Sequence, residues 1–278
     1  MTQNRKDRQV VWVSGASSGL GLAAAKAFHR AGYTVVSGAR SFTGERTGEG
    51  EEGFRICLDV SSDESVKGFA EEAVSLFGEP DILICCAGVL VLGPCETYSM
   101  QEISRVTDTD YYGQVRMIQA ALPFMRRRRK GRILCFSSIN GLLGIPCQGA
   151  YTAAKHAVEG FCESLAQEVR PFGVEIMLIE PGDHRSGSER YRAHSTGAER
   201  EEDYRRIFEN STRTIAHDET NGSDPDRLGD KLVRIMRRKR LPLRKCIASP
   251  SQHLAVFLHR VLPGRVFSKI IAGYYHAG

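Results

Sequence analysis

Two groups of residues in this chain have the types and spacing to do chemistry. The first is the turn Gly15, Ala16, Ser17, Ser18, Gly19, Leu20, Gly21. Glycines let a main chain pass close to a pyrophosphate, and a helix opening after Gly19 would aim free N–H groups and its positive dipole end at that anion. The G-x-x-x-G-x-G spacing is one residue wider than the common dinucleotide fingerprint, so its place between a strand and a helix carries the reading. The second group is YTAAK, in which Tyr151 and Lys155 lie one helical turn apart and share a face. Ser138 stands thirteen residues before Tyr151 in SSINGLLG, and EPG at 180–182 closes a later strand. At the end of the second strand, where a carboxylate would hold the ribose 2′-hydroxyl of NAD, Ala39 and Arg40 stand instead, with no acid until Glu45. A guanidinium suits a 2′-phosphate, so NADP(H) is expected over NAD(H).

The elements that must position these residues follow from periodicity. VVWV at 10–13 enters the glycine turn, and Leu20, Ala23, Ala24, Ala27 and Ala31 then recur at helical spacing until Gly32. YTVVSGA and FRICLDV read as further strands. Ser62, Asp63 and Glu64 open a helix carrying Val66, Phe69, Ala73, Val74 and Phe77, which stops at Gly78. DILICCAG, RILCFSS and VEIMLIEPG are three more buried-strand runs, separated by helical stretches around 99–126 and 152–170. Strands alternating with helices predict an α/β fold, a Rossmann doubly wound parallel sheet, in one domain whose core is 10–182.

Beyond the core the chain changes character. Residues 183–226 are charged and poor in apolar side chains, so no core element is expected there. Their place after a strand end suits a polar lid over a ligand site, or a plain connection. The tail at about 250–278 is amphipathic and broken at Pro263 and Gly264. It would suit a membrane surface, the substrate cleft or a second subunit, with packing on its own protein as the default.

The 278 residues are 41% apolar and 26% charged, which excludes disordered and fibrous classes. The eight cysteines show neither metal-ligand nor disulfide spacing, and reduced thiols in a cytoplasmic protein are expected, with no metal. No apolar h-region precedes the first strand, so no secretory signal is read. The net charge of +5 comes mostly from two clusters, Arg126 to Lys130 with Arg132, and Arg234 to Arg240 with Arg244 and Lys245. They lack interleaved aromatics, so nucleic-acid binding is not expected, and helix-end capping with solvation is the reading for both.

In order along residues 10–182, SGASSGLG, CCAG, the Ser138, Tyr151, Lys155 series and Pro181-Gly182 resemble the classical short-chain dehydrogenase/reductase family. The resemblance implies a seven-stranded sheet, a homodimer or homotetramer, and hydride transfer between a nicotinamide and a ketone or secondary alcohol. It implies that Tyr151 is the general acid/base, that Lys155 holds the nicotinamide ribose and lowers the Tyr151 pKa, and that Ser138 binds the substrate oxygen. Asp59 would approach the adenine, and Ala87 and Gly88 the ribose. A phenol titrates near ~10, and a cation ~5 Å away at an effective dielectric of ~20 would bring it to about 7.5. The chain departs from the family at Cys85 and Cys86, which replace two amides, and at Asp110, which stands for an Asn whose backbone carbonyl anchors a relay water. It departs again at His184 and Ser186, where an apolar residue and Thr usually meet the carboxamide.

The tail is similar to the extension of hydroxysteroid and retinol dehydrogenase-like members, implying a bulky lipidic substrate such as a steroid or bile acid. Arg185, Arg190 and Arg192 would favour an acidic tail on it, although solvated loop charges are the default reading of all three. Two alternatives stay open: a reductase of acyl or small carbonyl substrates, and a catalytically weak NADP-binding sensor.

Overall fold

The computed structural model describes residues 8–43, 50–198 and 201–277. Residues 1–7, read for a signal, Glu45, residues 199–200 of the expected lid, and Gly278 lie outside the described residues. The chain runs β1 (Val10–Ser14), α1 (Gly19–Arg30), β2 (Thr34–Ala39), β3 (Phe54–Cys57), α2 (Asp63–Phe77), β4 (Ile82–Cys85) and the short β5 (Val91–Leu92). It continues through α3 (Met100–Thr107), α4 (Gly113–Arg127), β6 (Gly131–Phe136), α5 (Gly149–Val169), β7 (Val174–Pro181) and the short β8 (Ala193–His194). It ends with α6 (Glu202–Thr220), α7 (Pro225–Met236), β9 (Arg244–Ile247), α8 (Pro250–Val261) and α9 (Gly264–Tyr274).

Seven strands form one parallel sheet in the order β3-β2-β1-β4-β6-β7-β9. The strand runs are apolar at consecutive positions because helices cover both faces. Trp12, Leu83, Ile133 and Leu178 meet the layer of α2, α4 and α5, while Val13, Ile84, Leu134 and Ile179 meet α1 and α7. All eight are fully buried, and each contributes about 1.5–3 kcal/mol on leaving water. The winding reverses between β1 and β4, which opens a crevice at the carboxyl ends of the strands.

The ends of the elements follow local chemistry. Ser62 caps α2 by accepting from the Ser65 N–H at 3.2 Å, and Gly78 ends that helix at φ +90°. In the first basic cluster, Arg126 and Arg127 close α4, Arg128 pairs with Glu79, and Arg132 donates to the carbonyls of Met236, the last residue of α7, and of Arg238 just beyond it. That is the capping expected. Arg244 corrects it in the second cluster: it lies in β9, paired with Glu159 at 2.6 Å, Glu163 at 2.6 Å and Glu180 at 3.4 Å.

Two other expectations change. The helical stretch around 99–126 is interrupted by a π-turn at Asp108–Tyr112 between α3 and α4. The segment 183–226 does supply core, since α6 buries Phe208, Ser211 and Ile215. Its apolar stripe is one residue wide at helical spacing, so its composition reads as polar. Inner faces of α6, α8 and α9 join in a separate cluster with Leu92, Ile139, Leu143 and Ile145 over the end of the crevice. The tail's inner side chains Val256, Phe267 and Tyr275 are buried there, which is the default packing expected. Among the described residues, no helix is long and apolar enough to cross a membrane.

Candidate active site

The crevice is a cleft of about 690 Å³ that runs from Arg40 and Asp59 past the glycine turn to Tyr151, and on to α6 and Tyr275. Its floor is set by close backbone contact. Gly15 sits at φ +72°, and a Cβ there would lie 2.6 Å from the Cα of Ala87, so only glycine lets the first turn meet the strand end that carries Ala87 and Gly88. Ser14 Oγ ties the same two segments together by accepting from the Cys86 N–H at 3.2 Å. The Ser18 side chain makes no capping bond to α1, so the first-turn N–H groups face the cleft without a side-chain partner. This cradle fits a dinucleotide pyrophosphate bound by Gly15, Ser17, Ser18, Gly19, Leu20 and Gly21.

Around the cradle, Arg40 is exposed at the rim of the cleft and makes no ion pair among the described residues. Burial opposes the charge on Asp59, but the hydroxyl and N–H of Ser61, at 2.6 and 2.9 Å, hold its carboxyl below the usual range. Pro181, Gly182 and His184 line the opposite wall. His184 is buried with Nδ1 2.9 Å from the Gly182 carbonyl oxygen, and burial pushes its pKa down, so its ring is neutral at pH 7.

Tyr151, Lys155 and Ser138 come together where the cleft turns. Ser138 lies two residues beyond β6 and caps a short turn by accepting from the Asn140 N–H at 3.2 Å. Asn140 Nδ2 donates to Gln148 at 2.8 Å and to Thr152 at 3.2 Å, which links the serine loop to the start of α5. Sequence reasoning missed Asn140 and Gln148. The Ser-x-Asn step of a local turn was the available signal for the first.

The Lys155 amine lies 5.3 Å from the centre of the Tyr151 ring. It donates to the Phe136 carbonyl at 3.1 Å and forms a buried ion pair with Asp110 at 3.1 Å. An ammonium has three donors, so one remains to turn toward a ribose. Burial works against the charge of Lys155, yet Asp110 and Tyr151 together hold the amine up at about 12. Burial also raises the Asp110 carboxyl above its usual range, with Lys155 opposing.

This geometry extends one expectation and corrects another. The carbonyl of Asp110 accepts from Gln114 Nε2 at 3.1 Å and keeps a second lone pair, while the π-turn brings its carboxylate onto Lys155, a contact the sequence did not announce, with Oδ1 accepting from the Val89 N–H at 2.7 Å. Lys155 does not bring Tyr151 near 7.5. Burial raises the phenol above its ordinary value, Lys155 pulls it down, and Asp110 offsets that pull. The cation does stand beside the phenol ring, but the carboxylate paired with it offsets its pull.

The substrate end is also rearranged. Arg185 and Arg190 are exposed, but Arg192 is buried against Glu219. Asp183 accepts from Gln252 and is pushed up to about 6 by burial and by Asp218 and Glu219. This wall therefore carries more acid than base, which speaks against an acidic-tail site, while Arg185 and Arg190 are the solvated loop charges also expected. Among the described residues no cluster could hold a metal ion, and all eight cysteines are free.

The short chain dehydrogenase family profile matches residues 9–195. A 3-ketodihydrosphingosine reductase of Bacteroides thetaiotaomicron is 35% identical over 96% of this chain and 98% of its own. Human retinol dehydrogenase 8 is 40% identical over 63% of this chain and 58% of its own. Among solved structures, a short-chain dehydrogenase from Streptomyces avermitilis superposes with a TM-score of 0.80 at 26% identity, over 95% of this chain and 96% of that one.

Proposed function

Because the chain belongs to the short chain dehydrogenase family and is an oxidoreductase of it, we propose that it uses NADP(H) to interconvert a ketone and a secondary alcohol on a bulky, lipidic substrate. The observation that carries this reading is the Tyr151 phenol at the turn of the cleft, with the Lys155 amine 5.3 Å from its ring. The glycine turn and α1 would hold the pyrophosphate, Arg40 a 2′-phosphate, Asp59 the adenine side, Ala87 and Gly88 the ribose, and Pro181, Gly182 and His184 the carboxamide. A bound nicotinamide supplies or accepts the hydride.

The chain's own part is proton transfer and positioning. Ser138 donates to the substrate oxygen, and Tyr151 gives that oxygen its proton in reduction or takes it in oxidation. Because burial holds the phenol protonated at neutral pH, reduction of the ketone needs no prior ionisation and oxidation does. Lys155 is fixed by Phe136 and Asp110 with one donor left to orient the ribose.

Leu90, Ile139, Ile145, Ile215 and Tyr275 line the cleft beyond Tyr151, which suits an apolar body. The relatives' names, a ketodihydrosphingosine reductase and a retinol dehydrogenase, point the same way. With Arg192 taken up by Glu219 and two further carboxylates nearby, a neutral or amine-bearing chain suits this wall better than an acidic tail. The family's homodimer or homotetramer is part of the proposal, and eight free thiols suit a reducing cytoplasm. NADPH consumption against long-chain ketones, keto-steroids and small ketones tests it. Turnover confined to small or acyl-carrier carbonyls would replace the lipidic substrate, and NADPH binding with no turnover on any would leave a sensor.

A further inference from the structure

The hairpin of α8 and α9 has two apolar faces, and its packing uses one. Val256, Phe267 and Tyr275 point inward to the cluster at the end of the cleft. Outward, Leu254, Phe257 and Val261 recur at i, i+3, i+7 on α8, and Val266, Ile270 and Tyr274 at i, i+4, i+8 on α9. These six leave between 44% and 58% of their surface in solvent. Among the described residues eleven large apolar side chains are exposed, and these are six of them, so the exposure is concentrated here. An apolar patch of this kind marks a contact surface.

The charge around the patch says what it contacts. Arg260, Arg265 and Lys269 are exposed on the same two helices, and residues 250–278 contain no Asp or Glu. Of the nearby carboxylates, Asp183 is held by Gln252, and Asp218 of α6 is taken up by the Tyr274 hydroxyl at 2.9 Å. A second copy placed face to face would set these cations against their own equivalents with no acid on either helix to receive them. An anionic lipid surface supplies both an apolar phase for the side chains and negative charge for the cations. With 12 and 11 residues, α8 and α9 are too short to cross a bilayer but suited to lie in its interface.

We propose that the outer face of the α8–α9 hairpin docks on an anionic membrane surface and holds the substrate end of the cleft against it. The hairpin reaches that end directly, since Tyr275 lines the cleft and Gln252 of α8 holds Asp183, which also lines it. Uptake of substrate from the bilayer rests on the lipidic substrate proposed above; the docking does not.

The test uses the full chain in sedimentation with phosphatidylcholine vesicles, with and without about a third phosphatidylglycerol. Binding is expected on the anionic vesicles and at least about tenfold weaker on phosphatidylcholine alone. The double variant Phe257→Glu, Ile270→Glu and the triple variant Arg260→Glu, Arg265→Glu, Lys269→Glu alter only exposed side chains. Each is expected to lose at least about tenfold in vesicle affinity while NADPH affinity and subunit number stay those of the parent. Failure of the parent to sediment, or equal sedimentation of parent and variants, overturns the docking. So does a fall in subunit number in the apolar variant without vesicle binding by the parent, which would assign the face to a second copy. Vesicle binding by a chain that turns over no lipidic ketone would leave the docking standing and remove the substrate reading.

Discussion

Replacing Asp110 by Asn isolates the feature that most changes the chemistry expected of this site. The 5.3 Å from the Tyr151 ring centre to the Lys155 amine and the 3.1 Å from that amine to Asp110 place the carboxylate no more than about 8 Å from the ring. At an effective dielectric of about 20, a unit negative charge at that distance opposes the phenolate by at least about 2 kcal/mol, or about 1.5 pKa units. Removing the charge favours the phenolate, so the Tyr151 pKa falls. Oxidation of a secondary alcohol requires the deprotonated phenol, and the pH at which kcat reaches half its plateau is expected about 1 to 1.5 units lower in Asp110→Asn than in the parent. The assay is the pH dependence of NADP reduction under saturating alcohol. Circular dichroism serves as the check on folding, because leaving Lys155 unpaired in the interior carries a stability cost of a few kcal/mol. An unchanged or higher midpoint in a folded variant would refute the reasoning, showing that Asp110 carries no charge the phenol can feel.

Tyr151→Phe is expected to lower turnover by at least about a hundredfold, the range of a missing general acid, while NADPH affinity from fluorescence titration stays within a few fold. Arg40→Asp is expected to weaken NADPH binding about ten- to a hundredfold with NADH little affected; equal NADPH affinity would remove the 2′-phosphate role. Glu180 is buried and pushed up to about 7 by burial and by Glu159, so the native carboxyl keeps its proton where an unfolded one, near 4.5, has lost it. Folding stability should therefore fall as pH rises from about 4.5 to 7, by at most about 3 kcal/mol, and Glu180→Gln should flatten that slope in urea titrations.

The sheet was legible because its strands are apolar at successive positions and its helices carry capping signals such as Ser62 and Gly78, which are local properties. The glycine turn and the Ser138, Tyr151 and Lys155 series were legible for the same reason: spacing along a turn or helix sets proximity. What depends on contacts between distant segments was not. Arg192 meeting Glu219, Arg244 gathering three carboxylates, and Lys155 paired with Asp110 each join residues at least 27 positions apart in the chain, and the last also depends on the π-turn that no periodicity announced. Helix α6 was hidden differently, because its buried stripe of Phe208, Ser211 and Ile215 includes a serine and is diluted by charged neighbours.

The wide turn at Asp108–Tyr112 takes up one extra residue within the run of α3 and α4. Each residue of a regular helix advances the next by about 100°, and the wider turn advances less. Deleting one residue there would therefore leave Met117, Ile118, Ala121 and Met125 close to their places on the core while withdrawing the acid that faces Lys155. Point substitutions can retune that acid one atom at a time, whereas loss of a single codon in this stretch would part it from the lysine with the scaffold kept.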